Sequence, residues 1–191
     1  MQRVKHGEVR IIGGAWRSRR IRFADRPGLR PTPDRVRETL FNWLGQDLTG
    51  KRCLDLFAGS GALGFEAASR GAKHVTMVER DAAALQALRT NGEALQATAV
   101  EVVRADALEF LNNHRNKHDR DKYDVVFLDP PFADDCWPQL LAGVPAVLAP
   151  GGLVYCERAQ ALDALQGWEV VKSGRAGQVS HQLLKRTEHE Q

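Results

Sequence analysis

Asp55-Leu56-Phe57-Ala58-Gly59-Ser60-Gly61-Ala62-Leu63-Gly64 is the stretch on which the fold turns. It continues the apolar run Arg52 to Phe57 and opens a helix-like segment, Gly61 to Ser69, so it reads as strand, tight turn and helix. Gly59, Gly61 and Gly64 spell G-x-G-x-x-G, a pattern that lets backbone approach a ligand at a helix N-terminus. On its carboxyl side the alternation repeats: His74 to Glu79 then Asp81 to Leu95, Ala99 to Arg104 then Asp106 to Asn112, and Tyr123 to Leu128 before a Pro-rich break. Strands separated by helices of this length pair in parallel, and runs such as Val125 to Leu128 are continuous enough to be buried on both faces. A doubly wound α/β sheet follows. After Gly151-Gly152 come the apolar run Leu153 to Cys156 and a short helix near Ala159 to Leu165. Glu169 to Lys172 and Gln178 to Lys185 then read as an antiparallel hairpin closing a seven-stranded, mostly parallel sheet.

The chain has 191 residues, enough for one core with a short appendage. Its 43% hydrophobic and 27% charged shares are those of a globular protein. No apolar run approaches the roughly 20 residues of a membrane span, and Met1 to His6 lack the apolar stretch of a signal peptide, so a cytoplasmic monomer with no membrane partner is expected. Cys53, Cys136 and Cys156 are odd in number and widely spaced, which encodes neither a disulfide framework nor a zinc ribbon. His114 and His118 stand four apart in the polar gap Asn112 to Lys122 with no Cys or Glu completing a ligand set, so no metal site is expected.

The net charge of +3 hides an asymmetry. Residues 1–37 hold eleven Lys/Arg against three acids, a net +8, whereas the rest holds 16 against 21, a net −5. A basic segment on a mildly acidic body is the footprint of a phosphate-backbone binder. Around Gly13-Gly14, Arg10-Ile11-Ile12 and Arg20-Ile21-Arg22-Phe23 suggest a hairpin with Ile21 and Phe23 on one side and Arg20 and Arg22 on the other. Residues 1–30 are thus a basic hairpin extension and 31–191 the main domain. Arg10, Arg17, Arg19, Arg20 and Arg22 are the candidate RNA-binding cations, with Trp16 among them placed to stack on a base. Pro31-Thr32-Pro33 opens a helix from Asp34 to Leu44 with Val36, Leu40, Phe41 and Leu44 on one stripe.

Two acids discriminate among ligands for the glycine turn. Glu79 ends the second strand about 20 residues on, where an acid accepts both ribose hydroxyls. Asp55 would repel the pyrophosphate of a dinucleotide but attract the sulfonium and ammonium of S-adenosylmethionine. Asp129-Pro130-Pro131-Phe132 emerges directly after the buried run Val125 to Leu128, at the carboxyl edge where ligands bind in such sheets. The Asp129 carboxylate and the Pro130 carbonyl can each accept one hydrogen of an exocyclic NH2, turning its lone pair toward a methyl group, while Pro131 stiffens the turn and Phe132 offers a stacking face.

These motifs are similar to those of amino methyltransferases, and the chain resembles the RsmD family of bacterial 16S ribosomal RNA guanine-N2 methyltransferases. The opening Arg10-Ile11-Ile12-Gly13-Gly14, the stretch Gly28 to Glu38 running into Leu40-Phe41-Asn42-Trp43-Leu44, and Ala176-Gly177-Gln178-Val179 carry the likeness. The resemblance implies a Rossmann-like class I S-adenosylmethionine-dependent methyltransferase domain. It also implies transfer to the N2 amine of a guanine, guanine 966, in 16S ribosomal RNA of the small subunit or its assembly intermediate. It places Gly59, Ser60 and Gly61 at the methionine part of the cofactor, Glu79 at its ribose, and Asp106 and Ala107 at its adenine, with Asp55, Ala58 and Arg80 also binding the cofactor and Arg30 and Thr32 closing over it. From chemistry alone, adenine-N6 and a protein glutamine amide remain as acceptors. A Rossmann oxidoreductase and a non-catalytic RNA-binding assembly factor remain as other classes, the first disfavoured by Asp55 and the Asp-Pro-Pro-Phe turn.

Overall fold

The computed structural model describes residues 6–24, 31–115, 118–131, 136–162 and 166–187. Among these residues nine strands form two sheets. A two-stranded ribbon pairs β1 (His6–Arg10) with β2 (Arg20–Ala24). The main sheet contains β3 (Arg52–Asp55), β4 (His74–Glu79), β5 (Val100–Arg104), β6 (Tyr123–Leu128), β7 (Leu148–Arg158), β8 (Trp168–Ala176) and β9 (Val179–Arg186). Their order is β5-β4-β3-β6-β7-β9-β8, parallel from β5 to β7, with β9 inserted antiparallel between β7 and β8. The chain order reverses between β3 and β6, so the glycine turn and the Asp-Pro-Pro turn leave adjacent strands at the same edge.

Alternation along the strands sorts the core into two layers. Cys53, Val75, Met77, Val125, Phe127, Tyr155 and Leu183 face α1 (Asp34–Trp43), α2 (Ala62–Ser69), α3 (Ala82–Leu95) and the ribbon. Leu54, Val78, Val126, Leu128, Val154, Cys156 and Leu184 face α4 (Ala107–Asn113) and α5 (Trp137–Gly143). Asp81 and Asp106 start α3 and α4 by accepting backbone N–H groups of the first turn, the expected capping geometry.

The ribbon is fixed to the core. Val9, Ile11, Ile21 and Phe23 are buried in the α2/α3 layer, each worth about 1.5–3 kcal/mol, while Arg20 and Arg22 point out as expected. In α3, Asn91 serves β2 as a substitute strand: its Oδ1 accepts from Arg22 N at 3.1 Å and its Nδ2 donates to Arg22 O at 2.7 Å. The turn binds α2. Ile12 N and Gly13 N both donate to Glu66 at 2.8 Å, Trp16 N donates to Ser69 Oγ at 2.9 Å, and Ser69 Oγ donates to Gly13 O at 2.6 Å.

Three local expectations are corrected. Residues 159–162 make a bend instead of the first turns of a helix, because Leu162 N and O exchange hydrogen bonds with the Gln182 side chain of β9; residues 163–165 lie outside the described set. β7 starts at Leu148, five residues before the apolar run, because a register irregularity lets Pro150-Gly151-Gly152 ride along the strand. The first ribbon strand ends at Arg10 instead of running on through Ile12, because Ile12 N and Gly13 N turn to the Glu66 carboxylate. Among the described residues, no helix is long and apolar enough to cross a membrane.

Candidate functional site

Gly59 and Gly61 have φ of +49° and +82°, the left-handed region where a side chain is strained. A Cβ on Gly61 would lie 2.7 Å from both Leu88 and Phe65, so its absence also brings α2 and α3 together. Gly64 serves packing: a Cβ there would stand 2.3 Å from Met77 Cε on β4. The loop is closed by Ala58 N donating to Val78 O at 3.0 Å and Gly61 N to Ala58 O at 2.6 Å. Ser60 is buried, and its Oγ accepts from Ala62 N at 3.3 Å.

The acids around this loop are held by backbone. Asp55 Oδ2 accepts from Gly64 N at 3.1 Å, tying the strand end to the first turn of α2. Burial pushes its carboxyl up to about 7, against the Phe57 and Gly64 amides that stabilise its charge, and Glu79 adds repulsion. Glu79 accepts from Gly59 N at 2.9 Å on one oxygen and from Asp81 N at 2.8 Å on the other; each oxygen keeps a lone pair for a further donor such as a ribose hydroxyl. Asp106 Oδ1 caps α4 through Leu108 N and Glu109 N, and its Oδ2 lies 3.8 Å from Arg80 Nη1 above buried Ala107. Ala58 to Gly61, Glu79, Arg80, Asp106 and Ala107 thus line the ends of β3, β4 and β5.

Strand register places the other half. Asp55 is level with Phe127, and Phe127 with Tyr155, while Leu128 pairs with Cys156. One step beyond, Asp129 and Glu157 are lateral neighbours on strands about 4.8 Å apart. Asp129 is partly exposed, Pro130 is buried and Pro131 is exposed. Burial raises the Asp129 carboxyl well above its ordinary range, with Glu157 and then Asp55 adding repulsion. Glu157 is also raised by burial, opposed by hydrogen bonds from Tyr155 and Thr32; the Tyr155 hydroxyl donates to Glu157 Oε1 at 2.9 Å. Thr32 is buried, and its carbonyl accepts from Arg37 Nε at 3.1 Å. No ion pair of the described residues involves Asp55, Asp129 or Glu157, so this edge favours a cation. Arg30 and Phe132 lie outside the described residues.

The basic residues share the ribbon's outer side with different engagements. Arg20 and Arg22 each reach Glu8 at 3.0 Å, Arg10 reaches Asp34 at 3.1 Å, and Arg19 Nη2 donates to Ala94 O at 2.8 Å at the end of α3. All are exposed and solvent-screened, so these partners hold them only weakly. Arg17 is exposed beside a polar groove of about 470 Å³ shared with Asn42 and Gln46. Trp16 is half-buried and packs one side on the core, which leaves only part of its ring for stacking.

Sequence reasoning missed Glu157, Tyr155, Arg37, Glu66 and Arg70. Glu157 carried the signal that identified Asp55 and Asp129, an acid ending a buried parallel strand. Glu66 sits within the apolar helix Ala62–Ser69, a mark of a paired buried charge, yet its partner Arg37 is 29 positions away and invisible to local spacing.

The strand order, with a reversed strand inserted beside the last parallel one and a glycine turn facing acid-ended neighbours, defines the class I S-adenosylmethionine-dependent methyltransferase fold. A 16S rRNA N2 G1207 methyltransferase of T. thermophilus, solved with AdoMet and guanosine, shares that fold at a TM-score of 0.70 and 23% identity, over 96% of this chain and 50% of its own. The family model described as Conserved hypothetical protein 95 matches residues 9–185. Ribosomal RNA small subunit methyltransferase D of Haemophilus influenzae is 42% identical over 185 residues, covering 94% of each chain. The structure of a putative methyltransferase from Escherichia coli superposes at a TM-score of 0.83 with 40% identity, over 96% of this chain and all of that one. The chain belongs to the ribosomal RNA small subunit methyltransferase D family.

Proposed function

We propose that this protein transfers a methyl group from S-adenosylmethionine to the N2 amine of a guanine in 16S ribosomal RNA, guanine 966 by resemblance. The observation that carries this reading is the meeting of two turns at one sheet edge: the glycine loop between Asp55 and Glu79, and Asp129-Pro130 beside it. Gly59 to Gly61 would receive the methionine part, Glu79 and Arg80 the ribose, and Asp106 with Ala107 the adenine. Sulfonium and ammonium charges offset the repulsion among Asp55, Asp129 and Glu157.

Asp129 and the Pro130 carbonyl would each accept one N–H of the amine, holding both hydrogens away from the methyl group so that the lone pair faces it in line. The nitrogen attacks the methyl carbon, the carbon–sulfur pair stays on sulfur, and the proton released passes to Asp129 or to water. Pro131 has no N–H to compete, and Phe132 would stack the base. The basic ribbon, through Arg10, Arg17, Arg19, Arg20, Arg22 and Trp16, would hold the RNA, and a base in a duplex would be flipped at a cost of a few kcal/mol. The T. thermophilus neighbour's named acceptor, N2 of a guanine in 16S rRNA, supports this acceptor over adenine-N6.

The test is Asp129→Ala with labelled cofactor and small-subunit particles from cells lacking the enzyme. Methyl transfer falls by at least about 100-fold, while cofactor and RNA affinity change little. Retained transfer, or a mapped methyl on an adenine, would refute the reading; equal loss of transfer and RNA binding would favour an assembly factor.

A further inference from the structure

Glu157 takes no proton and holds no substrate group in the mechanism above, yet it is among the best-held side chains near the reacting edge. It is 6% exposed, receives the Tyr155 hydroxyl at 2.9 Å and a hydrogen bond from Thr32, and stands beside Asp129 across β6 and β7. Two donors fix a carboxylate's charge in place. Among the described residues, Asp129 has Glu157 and Asp55 as its charged neighbours and no comparable pair of hydroxyl donors. Of two adjoining carboxyls, the one with donors keeps its charge and the other takes a shared proton.

We propose that Glu157 is a positioning residue for methyl transfer: pinned by Tyr155 and Thr32, its fixed negative charge makes Asp129 the group that accepts the amine proton. This rests on the reading of Asp129 given above. Before transfer, the bound sulfonium offsets the repulsion and Asp129 is ionised, able to accept the N–H. The nitrogen lone pair then forms the N–CH3 bond, the S–CH3 pair returns to sulfur as a neutral thioether, and the positive charge moves to the amine. With the sulfonium gone, the charge of Glu157 is no longer offset. The N–H proton passes to Asp129, leaving a neutral methylamine and a carboxylic acid that later yields its proton to water. Among the described residues, the groups facing this pair are Asp55 from β3, Tyr155 from β7 itself, His181 from β9, and Thr32 ahead of α1 with Arg37 behind its carbonyl. Burial lowers the His181 imidazole, which disfavours a countercharge there.

The experiment is the pH dependence of kcat at saturating labelled cofactor and small-subunit particles, for the wild type, Glu157→Gln, Glu157→Asp and Tyr155→Phe. In wild type, kcat rises with pH as Asp129 ionises. Glu157→Gln removes the repelling charge, so its acid limb moves to lower pH. On the wild-type limb the variant then runs several-fold closer to its own plateau, and that plateau drops because Asp129 is a weaker base. Glu157→Asp keeps the charge and the wild-type limb. Tyr155→Phe frees Glu157 to hold the shared proton and moves the limb in the same direction by less. An unmoved limb in Glu157→Gln, with melting temperature and cofactor affinity preserved, overturns the proposal whatever the plateau does. Should that variant fail to fold, an unmoved limb in Tyr155→Phe overturns it. Failure of the underlying reading is separate: it shows as transfer surviving Asp129→Ala.

Discussion

Arg37 Nη1 and Glu66 Oε2 lie 3.2 Å apart, and neither side chain has any solvent exposure. The same Glu66 carboxylate receives Arg70 at 2.9 Å and the Ile12 and Gly13 amides, while Arg70 also stacks on Phe41 at 4.7 Å and donates to Gln46. Arg37 continues to Asp34 and to the Thr32 carbonyl. One carboxylate therefore joins the ribbon's turn, α1 and α2.

Removing that carboxylate strands two buried guanidiniums and two amides. Glu66→Ala is expected to cost about 3–5 kcal/mol, a drop on the order of 10 °C in melting temperature for a chain of this size. A change of a degree or two would mean that water replaces the carboxylate at no penalty.

Two glycines with positive φ separate backbone strain from contact. Gly14, at φ +75°, has Ser69 O within 1.8 Å of where a Cβ would stand; Gly177, at φ +61°, has open space. Gly177→Ala costs about 1–2 kcal/mol of left-handed strain, whereas Gly14→Ala costs that and also pushes the turn off α2. Chemical denaturation should rank Gly14→Ala clearly lower, with faster proteolysis of the ribbon; equal losses would deny the close contact.

Asp55, raised from 3.8 to about 7, makes the unliganded protein pH-sensitive. Between these values the folded form binds the proton that the unfolded form has lost. Its contribution to stability is therefore full below about 3.8 and lost as pH rises through about 7. A bound cation reverses the preference, so S-adenosylmethionine affinity should tighten with rising pH up to about 7 and binding should release a proton. Calorimetry in buffers of different ionisation enthalpy measures that release, and Asp55→Asn should lower it to the share that Asp129 contributes. An unchanged proton count in that variant would assign the effect elsewhere.

If the ribbon's outer side grips phosphate, replacing Arg17, Arg19 and Arg20 with Gln lowers the slope of log affinity against log salt by about 1 per lost contact. Arg17 alone should account for the largest single share, because Arg19 and Arg20 must first leave Ala94 O and Glu8. Filter binding across a salt series reads this, and a slope unchanged in the triple variant would remove these arginines from the interface.

What was legible in the sequence was whatever depends on neighbours along the chain. The apolar runs of β4 and β6 match the observed strands end to end, and the starts of α3 and α4 follow from Asp81 and Asp106, because burial and capping are local effects. The glycine loop and the Asp-Pro-Pro turn were readable for the same reason. Residues whose meaning depends on cross-strand register were not. Glu157, just past the run Leu153 to Cys156, takes its place beside Asp129 only once Leu128 is paired with Cys156, and α5 went unread because no capping side chain marks its start. The docking of the ribbon was half visible: Ile21 and Phe23 announced an apolar side, but not that α3 would receive it.

The seating of that ribbon carries a consequence for anyone trimming the chain. A version beginning at Pro31 would uncover a greasy wall where Ile11, Ile21 and Phe23 had rested, and would leave Glu66 facing two arginines with its peptide donors gone. Such a fragment would stick to itself. The strip most available to nucleic acid is also a keystone of the barrel-less scaffold beneath it, so pulling on one would be felt by the other.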